Sequence, residues 1–175
     1  MKMHLQIRKF SEGKMVIEFA SPGMPLILDN DVFTDWRKHR QHVRLAIMDY
    51  LARFKAYPLL ASVTVFEARW GFESQTIKHG GRLDPQHEQW RLEMEGLIAS
   101  CGVLDFDQEA SAIAAHIFAR LSHSQRNQHW CDVFIAATAM AHGRGVATRN
   151  RTDFELIGQH LPPYASTLHL AIWKQ

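Results

Sequence analysis

The chain has 175 residues, 46% of them hydrophobic and 22% charged, with a formal net charge of +2. That length and balance suit one soluble domain with its own core, and near-neutrality excludes a protein held to nucleic acid by overall charge alone. Two cysteines, Cys101 and Cys131, exclude a disulfide framework and a CxxC metal knuckle, and no apolar run reaches the roughly 18 residues of a membrane span.

The N-terminal stretch MKMHLQIRKFSEGK has no apolar signal-peptide centre, so a cytoplasmic protein is expected. From His4 to Phe19 apolar and polar residues alternate around a Ser-Glu-Gly turn, which predicts a β-hairpin. We therefore divide the chain into a hairpin extension, residues 1–24, and a main domain, residues 25–175. PLILD, ending at Asp29, predicts a short buried strand. Val43, Ile47, Tyr50, Leu51 and Phe54 share one helical face, and the first turns of that helix are expected to carry Arg37, Lys38, Arg40 and Arg44. LLASVTVF, Leu59 to Phe66, is apolar and β-branched and predicts a fully buried strand ending at Glu67.

Helices are predicted over 86–100 and 108–121, the second capped by Asp107, with a short strand between them at 103–106. A further helix, 131–141, is opened by Asp132 and closed by Gly143 and Gly145. Strands over 146–148 and 167–173 complete the pattern. Apolar strands alternating with helices predict an α/β fold with a mainly parallel sheet. Ligands in such sheets bind beyond the carboxyl ends of the strands. Asp29, Glu67 and Asp153 fall there, and Asp132 opens a helix aimed at the same edge.

Four ionised carboxylates about 5 Å apart repel by roughly 3 kcal/mol per pair at an effective dielectric near 20, on the order of 20 kcal/mol in all. Such a cluster must take up protons or hold cations. An all-oxygen donor set suits Mg²⁺ or Mn²⁺ better than zinc. Each acid also has a plainer reading: a cap for Asp132 or Asp153, or an ion pair with Arg69 or Arg44 for Glu67. The eleven histidines show no HExxH spacing and read as surface or structural residues.

The blocks LILDNDVFTD, ASVTVFEARWG, CDVFIAATAMAHG and GVATRNRTDFELI resemble the PIN-domain ribonucleases, most closely the VapC-type toxins of toxin–antitoxin pairs. The resemblance runs from Pro25 to the C-terminus. It implies a three-layer α/β/α sandwich around a central sheet of about five strands. It implies Mg²⁺- or Mn²⁺-dependent hydrolysis of an RNA phosphodiester, with in-line attack by a metal-activated water that leaves a 5′-phosphate. Asp29, Glu67, Asp132 and Asp153 match the family's acidic positions. Asp29 and Asp132 are expected to ligate the metal directly, and Glu67 and Asp153 through water or at a second metal position. Thr148 and Asn150 match its supporting polar residues, and Gly71 its glycine. Asp31 departs from the family, which usually has Asn there, but is still expected to reach the site edge as a supporting polar residue that adds negative charge. The resemblance also implies a homodimer and a small antitoxin partner.

RNA needs nearby positive charge, and Arg149 and Arg151 beside the last acid, with Arg37 and Arg40 after the first, are the candidate contacts. Two other readings compete. LILDNDVF also fits a haloacid-dehalogenase-like phosphatase, with Asp29 as nucleophile and Asp31 as acid/base. A PIN-like fold can also serve as a non-catalytic binding module.

Overall fold

The computed structural model describes residues 17–78, 80, 81 and 84–174. In chain order the elements are β1 (Ile17–Phe19), β2 (Leu26–Leu28), α1 (Asn30–Arg37), α2 (Gln41–Phe54), β3 (Leu59–Ala61), α3 (Ser62–Lys78) and α4 (Pro85–Ser100), then β4 (Val103–Leu104), α5 (Gln108–Phe118), α6 (His123–Ala141), β5 (Gly145–Thr148), α7 (Arg151–Gly158) and β6 (Leu168–Ile172).

The strands form one six-stranded sheet in the order β1-β6-β5-β2-β3-β4, and every pairing is parallel. Successive strand residues point to opposite faces, and both faces are covered. Ile27, Ala61 and Val146 face a core built by α5, α6 and α7. Leu26, Leu28, Leu60 and Ala147 face a second core with α1, α2 and α4. The expected three-layer α/β/α sandwich is therefore present. The chain leaves β2 toward β3 and β4 on one side and returns through β5 and β6 on the other. The C-terminal end of β2 is thus the topological switch point, where open α/β sheets bind ligands.

The sheet has one strand more than the expected five. Ile17–Phe19, the end of the predicted hairpin, is an edge strand parallel to β6. The rest of the hairpin lies outside the described residues.

Two expectations are corrected. The run 59–66 is not one strand. Only Leu59–Ala61 pairs in the sheet, and Ser62 opens α3. An apolar run of this length does not distinguish strand from buried helix. Here β3 has short neighbours, so the sheet needs only three residues of it. The turn into α3 is fixed by Thr64 Oγ1 donating to the Leu28 carbonyl (3.2 Å) and by Ser62 Oγ accepting from the Phe106 N–H (3.2 Å). The single helix expected after Asp29 is two helices. Asp29 caps α1, accepting from the Asn30 N–H. His39 then takes a left-handed φ of 55° and the chain restarts at α2, so Arg37 ends α1 instead of opening α2.

Gly145 starts β5 at a tight spot: a Cβ there would lie 2.8 Å from Leu26 Cδ2, 3.1 Å from Ala20 Cβ and 3.3 Å from the His169 carbonyl, so a larger residue would make its neighbours give way. Phe154 is fully buried and anchors α7 to the α5–α6 core. Phe154→Ala is expected to destabilise the fold by about 3–5 kcal/mol. Urea unfolding measures this, and a loss below about 1 kcal/mol would contradict the packing described.

Candidate metal centre

Asp29 sits where β2 ends and α1 begins. One carboxylate oxygen accepts from the Asn30 N–H (2.7 Å) and the other from Thr148 Oγ1 (2.7 Å), so the ends of β2 and β5 grip it from both sides. Its exposure is 5%. Burial holds its pKa well above the usual carboxylate range, and the charges of Asp31 and Asp132 push the same way.

Asp132 reaches the same edge because α6 is kinked. His129 has non-helical angles, φ −116° and ψ 18°, and Asp132 lies on the first turn after the break. Burial pushes the Asp132 carboxyl up to about 6, with Asp153 and Glu67 adding like charge and His129 opposing them. Glu67 is on the second turn of α3, not at a strand end as expected, yet it still faces Asp132. Burial raises its pKa, while a hydrogen bond from the Cys131 thiol opposes the rise. Burial and the Glu67 carboxylate push the thiol's own pKa strongly upward. Cys131 is therefore both a core residue and a neighbour of the site. Arg69 does not pair with Glu67; its guanidinium grips Glu95 at 2.8 and 2.9 Å.

Asp153 lies in α7, a helix the sequence reading did not anticipate. Asn150 caps that helix and holds Asp153 twice: its carbonyl accepts from the Asp153 N–H (3.5 Å) and its amide donates to the carboxylate.

The structure also brings in a residue that sequence reasoning missed. His129 is neither a surface residue nor a plain core histidine. It is buried, and Nδ1 lies 3.4 Å from an oxygen of Asp132 and 3.4 Å from one of Asp153. The only available signal was its i, i+3 spacing from Asp132, which one residue pair does not make specific. Donor atoms of His129, Asp132 and Asp153 all fall within 4.8 Å of one another.

The remaining predicted residues are divided. Asp31 turns from the cluster to Arg149, accepting from its backbone N–H (3.1 Å) and Nε (3.3 Å). Arg149 Nη1 also donates to Asp35 (2.8 Å), so this side chain ties β5 to α1. Arg151 pairs with Glu155 (2.5 Å) and lies over the Phe19 ring. Arg37 lines a groove of about 330 Å³ together with Glu67, Gly71, Phe72 and Trp90. Arg40 is exposed ahead of α2.

The donor set suits a divalent cation. Burial raises the carboxyls of Asp29, Glu67 and Asp132, and neighbouring acids raise Asp29 and Asp132 further, so the bare site makes their ionisation costly. A doubly charged ion removes that cost, and carboxylate oxygens match hard cations such as Mg²⁺ and Mn²⁺.

Comparison with known proteins gives a consistent picture. The family model of the PIN domain matches residues 26–158. VapC ribonuclease Y4jK of Sinorhizobium fredii is 35% identical over 76% of this chain and 92% of its own length. Toxin FitB of Neisseria gonorrhoeae is 31% identical over 74% of this chain and 90% of its own. The DNA-bound VapBC structure from Salmonella typhimurium contains a chain that superposes with a TM-score of 0.62 at 22% identity. The match spans 86% of this chain and 99% of that one, a likeness of fold.

Without metal, the raised carboxyls make folding take up protons. Stability from Asp132 is fully present below its unfolded value near 3.8 and is lost as pH rises through about 6. In EDTA, Tm is expected to fall as pH is raised across this window, and Asp132→Asn to flatten the fall. An equally steep fall in the variant would contradict the assignment.

Proposed function

Because the chain belongs to the PIN-domain family, we propose that it is a Mg²⁺- or Mn²⁺-dependent endoribonuclease and the toxin of a toxin–antitoxin pair. The observation that carries this reading is the meeting of Asp29, Glu67, Asp132 and Asp153 near the switch point of the sheet, with three of the four carboxyls raised by burial and two of those raised further by neighbouring acids. The relatives support the finer reading: one is a VapC ribonuclease, another is a toxin, and the structural neighbour comes from a VapBC complex.

Asp29 and Asp132 would hold the cation directly, with Glu67 and Asp153 acting through water or at a second position. A bound divalent ion supplies Lewis acidity and offsets the negative charge of the scissile phosphate. The chain's own groups prepare for it. Thr148 fixes the rotamer of Asp29, Asn150 fixes Asp153, and the kink at His129 aims Asp132. Arg37, in the groove beside Glu67, is best placed to meet an RNA phosphate, with Arg40 further out. Arg149 and Arg151 are already engaged with acids and would assist at most by leaving them. The same reading carries a cytoplasmic homodimer controlled by a small antitoxin. Phe66 and Trp70, exposed and stacked on each other, form an apolar patch that such a partner would cover. No described helix is long and apolar enough to cross a membrane.

The phosphatase reading needs Asp31 free as an acid/base, and it is held by Arg149. The binding-module reading leaves the retained acids without a purpose.

Two experiments test the proposal. With Mn²⁺, wild type is expected to cleave members of a mixed RNA panel that includes tRNAs, and EDTA to stop it. Removing groups that merely orient a metal ligand costs 10–100-fold, so Asp132→Asn should lose about 100-fold or more. Equal cleavage by both proteins would sink the assignment. Asp31→Asn should retain RNA cleavage within about fivefold. Complete loss there would return the acid/base role to Asp31.

A further inference from the structure

We infer that His129 is a metal ligand through Nδ1, giving the Asp132–Asp153 side of the site a mixed nitrogen–oxygen donor set and a preference for Mn²⁺ over Mg²⁺. This rests on the metal dependence proposed above and adds a donor that the four-acid pattern lacks.

The first support is distance. A charge-assisted N–H···O bond between a histidine and a carboxylate closes to about 2.7–2.9 Å. His129 Nδ1 instead stands 3.4 Å from Asp132, a long hydrogen bond, and 3.4 Å from Asp153, equally far from both. Two donors bound to one cation at about 2.1 Å lie roughly 3.0 Å apart at a right angle and about 3.4 Å apart at a tetrahedral angle. The donor atoms of the three residues all lie within 4.8 Å of one another, so a small movement of the side chains would bring them around a common centre.

The second support is backbone. The helix breaks at His129 itself, and the break places His129 and Asp132 toward Asp153 across the α6–α7 junction. A kink inside a helix needs a local cause, and no proline or glycine stands between Ser122 and His142 to supply one.

The third is burial. The side chain is only 6% exposed, so Nδ1 has little access to water and faces two acids. A neutral imidazole offers one lone pair, and Nδ1, lying beside both acids, would add a nitrogen to their oxygen donors. Imidazole nitrogen favours Mn²⁺ and later transition ions, whereas Mg²⁺ takes oxygen almost exclusively. The remaining positions, toward Asp29 and Glu67, stay all-oxygen.

The test is pulsed EPR of the full-length protein loaded with one equivalent of Mn²⁺, unlabelled and with ¹⁵N-histidine, alongside His129→Gln. The expected result is a nitrogen coupling that changes with the isotope in wild type and is absent in His129→Gln. In calorimetry, Mn²⁺ affinity should drop by about 10-fold or more in the variant while Mg²⁺ affinity moves less than about threefold. Bound Mn²⁺ without histidine coupling in the wild type would overturn the inference, as would coupling that survives in a folded His129→Gln. The labelled wild type decides the matter even if the variant fails to fold. If the coupling is present but no RNA is cut, the ligand assignment stands and the nuclease reading falls. If wild type binds no Mn²⁺, the metal reading and this inference fall together.

Discussion

Everything in this molecule is arranged around the repulsion between carboxylates crowded beyond the end of β2. Asp29 is nearly buried, caps α1, and is held by Thr148 from the neighbouring strand. Asp132 arrives from α6, Glu67 from α3, which packs against α6, and Asp153 from the first turn of α7 after β5. A parallel sheet makes this convergence possible, because every strand ends at the same edge and every following element starts there. The four acids cannot all stay ionised without help. Burial raises the carboxyls of Asp29, Glu67 and Asp132, and the neighbouring acids add to the rise at Asp29 and Asp132.

The surroundings show how the charge is kept local. Asp31 and Asp35 would enlarge the repulsion, but Arg149 takes both and anchors β5 to α1 in doing so. His42 stands 3.4 Å from Asp35 and completes that neighbouring group. The cluster proper is left with hydroxyl, amide, thiol and imidazole neighbours. These orient carboxylates without neutralising them, and a site built that way retains its affinity for a cation from solution.

Much of this was legible in the sequence, and the exceptions have physical causes. The α/β class followed from apolar strands alternating with helices, and the strands at PLILD and VAT stand where predicted. The cap at Asp107 stands as well, its carboxylate accepting from the Ala110 N–H. Leu59 to Phe66 misled because β-branched residues fill a buried helix start as readily as a strand, so only the hydrogen bonds of Ser62 and Thr64 settle where the sheet ends. α1 was hidden because its eight residues carry two acids, directly after Asp29, and read as the edge of the site instead of a helix. Arg149 and Arg151 looked like phosphate contacts because charge is visible in a sequence and the partner of a charge is not. His129 was invisible for a similar reason: its role depends on a kink that no proline or glycine announces.

The central claim is that the crowded acids exist to hold a divalent cation. The most direct measurement is anomalous diffraction from crystals of the full chain soaked in Mn²⁺. The account predicts an anomalous peak bonded to the carboxylates of Asp29 and Asp132. No peak at that edge, or peaks only at other surface acids with Asp29 and Asp132 left as a hydrogen-bonded protonated pair, would contradict it.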